Sequence, residues 1–238
     1  MRLLLISNST NAGEGYLEHA IGEIGNFLGT IRKTVLFIPY AAVMFPYDEY
    51  ERRVKEKFNI IGHEVVSIHR FGNPVEAVLN AEAIAVGGGN TWKLLDQMQK
   101  NNILHPVREK VLSGIPYTGW SAGSNVACPT IMTTNDMPVT EPSSFRATGI
   151  VPFQINPHYL DSNPEGHAGE TREQRIMEFI EMNPSLYVVG LREGTMLRIE
   201  NDTVRLIGPK KARLFIKGAI PVEAGNEDDL SFLLKKPS

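Results

Sequence analysis

Short apolar runs alternate with amphipathic helical stretches along the first two thirds of the chain. The apolar runs predict strands at residues 3–7, 33–39, 64–69, 83–86 and 115–118. The spacing between them predicts helices at residues 16–28, 47–58, 74–81, 91–99, 105–112 and 122–128. Strands that are apolar throughout are typical of a parallel sheet covered by helices on both faces. The pattern therefore predicts an α/β fold with a mostly parallel sheet.

The last third of the chain changes to strands separated by tight polar turns. A short strand at 153–155 and a charged amphipathic helix at 170–182 come first. Predicted strands follow at 187–191, 196–200, 203–207 and 213–217. The turns between them, such as Asn201-Asp202, indicate antiparallel hairpins that close one edge of the sheet. The polar tail from residue 226 is expected to be frayed.

Composition narrows the class of protein without identifying it. The chain has 238 residues, 42% of them hydrophobic, and a net charge of −3. We expect one α/β domain over residues 1–238, and we expect no nucleic-acid or membrane partner. The apolar start at residues 1–6 is interrupted by Ser7-Asn8-Ser9-Thr10, which favours a buried strand over an export signal. With a single cysteine, Cys128, no internal disulfide can form, and the expected location is the cytoplasm. The sequence predicts no oligomeric state.

The stretch Gly119-Trp120-Ser121-Ala122-Gly123 fits the nucleophile-elbow pattern, Gly-x-Ser-x-Gly. In that element a strand turns sharply into a helix and presents one side chain at the bend, so the residues two positions away must be very small. A predicted strand precedes Ser121 and a predicted helix follows it. Ser121 would then lie at a helix N-terminus, where free N–H groups favour developing negative charge. A tight turn that happens to contain serine is the alternative.

A serine nucleophile needs a general base, and His158 is the strongest candidate among the six histidines. It directly follows the predicted strand around Gln154-Ile155-Asn156-Pro157, and ligands of open parallel sheets bind at the carboxyl ends of the strands. His167, in a polar loop, is a weaker candidate. The other four lie in helices or beside a strand, where surface or packing roles are expected.

The base in turn needs an acid to orient it, and two carboxylates qualify. Glu193 follows the predicted strand at 187–191, again at a strand end. Asp136 lies in Thr133-Thr134-Asn135-Asp136-Met137-Pro138, shortly after the elbow helix. Either could hold the imidazole, and a solvated loop carboxylate is the alternative for both.

A glycine run, Gly87-Gly88-Gly89-Asn90, lies between a predicted strand and a predicted helix. It lacks the spaced glycines of dinucleotide sites, and no Lys-Ser/Thr pair follows as in a P-loop. Backbone N–H groups of such a run can instead approach a developing alkoxide, together with the N–H that follows the nucleophile. We therefore favour an oxyanion hole formed by Gly89 and Ala122 over a phosphate site.

Together with the opening Leu4-Leu5-Ile6-Ser7-Asn8-Ser9, several longer blocks resemble peptidase E, the α-aspartyl dipeptidase family. The blocks are Val86-Gly87-Gly88-Gly89-Asn90-Thr91, Gly119-Trp120-Ser121-Ala122-Gly123, Thr133-Thr134-Asn135-Asp136-Met137-Pro138, Gln154-Ile155-Asn156-Pro157-His158, Pro164-Glu165-Gly166-His167 and Glu170-Thr171-Arg172-Glu173-Gln174-Arg175. The resemblance covers nearly the whole chain. It implies a flavodoxin-like, doubly wound sheet similar to class I glutamine amidotransferases, hydrolysis of dipeptides with an N-terminal aspartate (Asp-Xaa), and no metal or organic cofactor.

The resemblance also implies roles for individual residues. Ser121 matches the nucleophile of the family and His158 its general base. Asp136 matches an aspartate with an assigned charge-relay role, whereas Glu193 matches the acid that an amidotransferase-like topology places beside the histidine. Both acids are kept as catalytic candidates.

Recognition of a substrate aspartate requires a cation in the site. Arg172 and Arg175 lie three positions apart on one predicted helix and could form a bidentate fork, with Asn90 beside the glycine run as a further substrate contact. A solvated helix face, paired with neighbouring glutamates, is the alternative for the two arginines.

Two other functions stay open at this stage. A cyanophycinase-like serine hydrolase of the same architecture would act on longer aspartyl polymers. A non-catalytic module of the same fold would bind a small ligand without forming a covalent adduct at Ser121.

Overall fold

Apolar strands from the first half of the chain form the parallel part of a seven-stranded sheet. The computed structural model describes residues 1–163, 165–166 and 168–237. The parallel strands are β1 (Arg2–Ile6), β2 (Thr34–Ile38), β3 (Glu64–Ser67), β4 (Ala83–Val86) and β5 (Pro116–Trp120). Two further strands, β8 (Met196–Glu200) and β9 (Thr203–Ile207), add an antiparallel hairpin next to β1. The strand order is β3-β2-β4-β5-β1-β8-β9.

Helices cover this sheet, as the apolar spacing predicted. They are α1 (Ile21–Leu28), α2 (Tyr47–Ile60), α3 (Pro74–Leu79), α4 (Thr91–Lys100), α5 (Leu104–Leu112) and α6 (Ala122–Asn125). A later helix, α7 (Arg172–Met182), packs instead against Val188 and Phe215 of strands outside this sheet. Short 3-10 helices lie at Ile68–Arg70 and Ser231–Leu234. Local signals set several helix starts: the Asn73 side chain caps α3 ahead of Pro74, and Thr171 with Gln174 forms a capping box on α7.

Alternate residues of the strand β1 enter two separate cores. Leu3 and Leu5 of β1 pack in one apolar cluster, whereas Leu4 and Ile6 pack in the other. Successive side chains of a strand point to opposite faces, so an entirely apolar strand must be covered on both. The predicted α/β class with a doubly wound, mostly parallel sheet and C-terminal antiparallel hairpins is confirmed.

A second sheet, which the sequence did not predict as separate, carries the later strands. Its order is β11-β10-β7-β6, built from β6 (Gln154–Pro157), β7 (Val188–Leu191), β10 (Ala212–Phe215) and β11 (Val222–Ala224). Strands β6 and β7 pair in parallel, with Pro157 opposite Leu191. The carboxyl ends of these two strands therefore lie side by side.

Two local predictions were wrong. The helix predicted from residue 16 begins at Ile21, because Leu17 has φ +54°, a left-handed conformation that cannot continue an α-helix. The tail predicted to be frayed is anchored: Leu230 and Leu233 are buried, and the Leu230 N–H donates to the Val204 carbonyl at 3.1 Å. Among the described residues, no helix combines the length and apolar character needed to cross a membrane.

Candidate active site

Ser121 lies at the bend between β5 and α6 with φ +52° and ψ −112°, an unusual backbone conformation for a residue with a side chain. A Cβ on Gly119 would lie 2.4 Å from the Gly123 carbonyl oxygen. A Cβ on Gly123 would lie 2.1 Å from the Val86 carbonyl oxygen. Both distances are far below contact, which confirms that the elbow requires glycine on both sides.

Buried hydrogen bonds hold the elbow in this conformation. The Ser121 N–H donates to the Ile6 carbonyl at 3.0 Å, and the Ser124 hydroxyl lies 2.7 Å from the same oxygen. The Tyr117 hydroxyl donates to the Gly123 carbonyl at 2.6 Å. The strained turn is thus supported from β1 and from β5.

The structure brings together Ser121, His158 and Glu193. His158 Nε2 lies 2.9 Å from Ser121 Oγ, and His158 Nδ1 lies 2.7 Å from Glu193 Oε1. The parallel pairing of β6 and β7 explains the second contact, because His158 directly follows β6 and Glu193 lies just beyond β7. The first contact joins the two sheets. About two fifths of each of the His158 and Glu193 side chains is exposed, at 39% and 43%, so small molecules can reach them.

Two residues that sequence analysis did not assign position this arrangement from the end of β1. The buried Ser7 hydroxyl accepts from the His158 N–H at 3.0 Å and donates to the Leu191 carbonyl at 2.7 Å. Asn8 Oδ1 accepts from the Gly194 N–H at 2.8 Å. His158 itself has φ +53°, so its backbone needs such support. Polar residues directly after the strand β1 were the available signal.

Ser7→Ala is expected to lower kcat about 10-fold and to reduce thermal stability. The substitution leaves the part-buried His158 N–H without a partner, a cost of about 1–3 kcal/mol. It also removes one of the two hydrogen bonds that the Leu191 carbonyl accepts, the other coming from the Tyr159 N–H. It also frees the His158 backbone to move, and small misplacements of a catalytic group lower rates. Steady-state kinetics and thermal melting check this, with Ser113→Ala on the exposed end of α5 as control. Unchanged kcat and melting temperature in Ser7→Ala would contradict the positioning role.

Asp136 lies against α4, and it makes no hydrogen bond to His158 within the described residues. Its Oδ2 accepts from the Thr91 N–H at 2.8 Å, from the Thr91 hydroxyl at 2.6 Å and from the Thr134 hydroxyl at 3.1 Å. Trp92 Nε1 donates to the Asp136 carbonyl at 3.0 Å. A carboxylate at a helix N-terminus is favoured by the helix dipole. Asp136 thus fixes the start of the helix that follows the glycine run.

Asn90, the last residue of that run, also has its side chain engaged in structure. Its Oδ1 caps α4 by accepting from the Lys93 N–H at 3.0 Å, and its Nδ2 donates to the Met137 carbonyl at 2.8 Å. Asn90 and Asp136 therefore tie the loop after α6 to the start of α4.

The three glycines of the run are required for different steric reasons. A Cβ on Gly87 would lie 2.6 Å from the Tyr50 hydroxyl, and one on Gly88 would lie 3.1 Å from Ser121 Cβ. Gly89 has φ +131°, and its Cβ would lie 2.5 Å from the Ala41 carbonyl oxygen. In the described part of the chain, the N–H groups of Gly88, Gly89 and Ala122 donate to no protein acceptor. Unpaired donors beside a serine hydroxyl are what an oxyanion hole requires.

The two arginines of α7 differ in their surroundings. Arg175 is 56% exposed and lies 3.8 Å from Glu170, as expected for a solvated helix face. Arg172 is half-buried and forms no ion pair with any described residue. Burial, and then the charge of Arg175, lowers the pKa of Arg172 from its ordinary value. The start of α7 approaches the histidine loop, since the Tyr159 hydroxyl lies 3.4 Å from Glu173. His167, the weaker candidate for the base, lies outside the described residues.

One group of possible metal ligands lies on α2 and the neighbouring 3-10 helix. Oxygen and nitrogen atoms of Asp48, Glu51 and His69 lie within 4.8 Å of one another. The Arg70 guanidinium already bridges this group, at 2.6 Å from Asp48 and 2.8 Å from Glu51. The group is therefore an ion-pair cluster centred on Arg70.

A serine hydroxyl at an elbow, linked through an imidazole to a carboxylate at the carboxyl ends of parallel strands, defines a serine hydrolase. Comparison with known proteins identifies the family within this class. The model of "Peptidase family S51" matches residues 3–207. The chain belongs to this family of serine-type peptidases.

Relatives and solved structures agree with that assignment. The chain is similar to a peptidase E of Nostoc sp., 52% identical over 237 residues that cover 100% of this chain and 98% of the relative. It is similar to a peptidase E of Salmonella arizonae, 46% identical over 95% of this chain and 99% of the relative. The crystal structure of a peptidase from an acI-B1 Actinobacterium has the same fold, with a TM-score of 0.64, 20% identity and coverage of 97% and 96%. The prediction of a peptidase E-type serine peptidase is confirmed.

Proposed function

We propose that the protein hydrolyses dipeptides with an N-terminal aspartate, with Ser121 as nucleophile and His158 as general base. The observation that carries this proposal is the continuous hydrogen-bond chain from Ser121 Oγ through the His158 imidazole to Glu193. The peptidase E relatives supply the class of reaction. Among the two acids, the 2.7 Å contact favours Glu193 as the group that orients His158, with Asp136 supporting the glycine run.

In the proposed reaction, Ser121 Oγ attacks the carbonyl carbon of the aspartyl residue while His158 Nε2 takes its proton. Glu193 holds the imidazole with Nδ1–H toward the carboxylate and stabilises the imidazolium that forms. His158 then protonates the leaving amine, and the C–N bond breaks to leave an aspartyl ester on Ser121. A water molecule, deprotonated by His158, hydrolyses the ester and regenerates the serine.

The tetrahedral intermediate carries a negative oxygen, which needs donors already in place. The Gly89 and Ala122 N–H groups are the donors we propose, because they have no other acceptor in the described chain. Ala122 also begins α6. Gly88 is the neighbouring candidate, and it lies close to the nucleophile, since a Cβ added there would be 3.1 Å from Ser121 Cβ.

Arg172 is the cation that we propose to bind the side-chain carboxylate of the substrate. A half-buried guanidinium without an ion-pair partner offers its charge to a ligand, whereas Arg175 is exposed and already lies near Glu170. Asn90 stays a proposed substrate contact because it lies next to the glycine run. Both polar atoms of its side chain already form hydrogen bonds within the protein.

Arg172→Met is expected to remove the preference for aspartate, whereas the control Arg175→Met keeps it. Wild-type enzyme should cleave Asp-Leu at least about 100-fold better than Asn-Leu, because Asn-Leu leaves the half-buried guanidinium without a carboxylate partner. In Arg172→Met that ratio should fall toward one, mainly through slower cleavage of Asp-Leu. Measuring kcat/KM for both dipeptides with the three proteins checks this.

Two outcomes would count against the proposed substrate. Equal rates on Asp-Leu and Asn-Leu in the wild type would mean that no cation in the site recognises the side-chain carboxylate of the substrate. Efficient cleavage of long peptides at internal aspartyl residues would favour a polymer hydrolase of the cyanophycinase kind. The single domain over residues 1–238, the cytoplasmic location and the lack of a nucleic-acid partner stay predictions.

A further inference from the structure

A buried tyrosine on α2, Tyr50, contacts the glycine run from the apolar cluster that contains Leu4 and Ile6. The Tyr50 hydroxyl donates to the Gly88 carbonyl at 2.9 Å, and Trp120 Nε1 donates to the Tyr50 hydroxyl oxygen at 3.2 Å. Tyr50 is 3% exposed and Trp120 is fully buried. Trp120 directly precedes Ser121, so this chain of two hydrogen bonds links the elbow to the glycine run.

The bond to the Gly88 carbonyl fixes the direction of the next N–H. The Gly88 carbonyl and the Gly89 N–H belong to one planar peptide group, and in a trans peptide they point in opposite directions. Because the carbonyl points to the Tyr50 hydroxyl, the Gly89 N–H must point away from the aromatic core. It finds no protein acceptor there among the described residues.

Glycine at position 87 is what lets the tyrosine approach. A Cβ on Gly87 would lie 2.6 Å from the Tyr50 hydroxyl oxygen and 2.8 Å from the ring carbon that carries it. Phe37 packs edge-on against the Tyr50 ring with centroids 4.9 Å apart, and Phe45 packs similarly at 5.2 Å. The ring is thus held in one position, with only its hydroxyl available to the loop.

We propose that Tyr50, held by Trp120, is a positioning residue that aims the Gly89 N–H at the oxyanion. This inference rests on the proposed function, in which that N–H stabilises the tetrahedral intermediate. The indole donor occupies a lone pair of the Tyr50 oxygen and leaves the phenolic proton for Gly88. Burial raises the pKa of Tyr50 to about 12, so the hydroxyl stays a donor throughout the neutral range.

Tyr50→Phe is the test, because it keeps the ring and removes only the donor. We expect kcat on Asp-Leu to fall about 10- to 100-fold with KM nearly unchanged, since a misdirected oxyanion donor matters only in the transition state. Affinity for an aspartyl aldehyde, which forms a tetrahedral adduct with the serine, should fall in proportion to kcat. Affinity for the product aspartate should not change. The control is Tyr47→Phe on the same helix, whose hydroxyl forms no hydrogen bond within the described residues.

A purely structural role would give a different result. If Tyr50→Phe keeps wild-type kcat, or if KM and aspartate affinity change together with kcat, the positioning role is wrong. Gly87→Ala is the second variant, because its methyl group displaces the Tyr50 hydroxyl without removing it, and it should reproduce the loss of kcat. Ser121→Ala, measured in parallel, separates the two hypotheses: full activity there would overturn the proposed function itself, whereas an inactive Ser121→Ala beside a fully active Tyr50→Phe would overturn only this inference.

Discussion

Ser121→Ala is expected to lower kcat/KM on Asp-Leu by about 10³-fold or more while the melting temperature stays near that of the wild type. The hydroxyl contacts His158 at the carboxyl end of β5, and Ser121 lies at the surface of the elbow rather than in either core. Removing Oγ therefore eliminates the nucleophile without opening a cavity. Steady-state kinetics and thermal melting of the purified variant check both parts.

His158→Ala should be nearly as severe, and the double variant should be no worse than either single one. When two residues act in the same proton transfer, removing either one eliminates that step, so the rate losses of the two substitutions do not add. A serine-reactive phosphonate should label the wild type at Ser121 and label His158→Ala much more slowly. Near-wild-type turnover in Ser121→Ala, or the absence of any phosphonate adduct in the wild type, would instead favour a non-catalytic binding module.

The parallel sheet could be predicted because its strands are apolar on both faces. Leu3, Leu4, Leu5 and Ile6 have no polar alternation, and the structure divides them between two cores. The second sheet could not be predicted, because periodicity shows that a strand exists but not which strand it pairs with. The same limit explains why the tail was wrongly predicted to be frayed. Leu230 and Leu233 are anchored by tertiary packing, which cannot be predicted from the polar composition of the segment.

The residues of the site likewise fall into those that local sequence predicts and those that it does not. Ser121 and His158 could be found from local sequence, because an elbow and a strand end are short-range features. The choice between Glu193 and Asp136 could not be made, since it depends on β6 and β7 pairing in parallel. Ser7 and Tyr50 were missed for the same reason: each contacts the site through partners distant in the chain.

The pair Glu193→Gln and Asp136→Asn tests which carboxylate orients His158. Both substitutions keep shape and remove charge, so each is the matched control for the other. Glu193→Gln should lower kcat at least about 100-fold, and losses up to about 10⁴-fold are known when a triad acid is replaced by its amide. An amide leaves the imidazolium without a compensating charge, and its N–H₂ group can favour the wrong imidazole tautomer. Because Glu193 is 43% exposed, little stability should be lost with its charge.

Asp136→Asn should show the reverse balance of effects. Its Oδ2 accepts three hydrogen bonds at the start of α4, so the amide should lower stability by about 1–2 kcal/mol and lower kcat by less than Glu193→Gln does. Kinetics and melting of the two variants, measured together, give the answer. If Asp136→Asn loses turnover at an unchanged melting temperature and Glu193→Gln does not, the acid that orients His158 is Asp136. The 2.7 Å contact between His158 and Glu193 would then belong to a resting conformation that the reacting enzyme leaves.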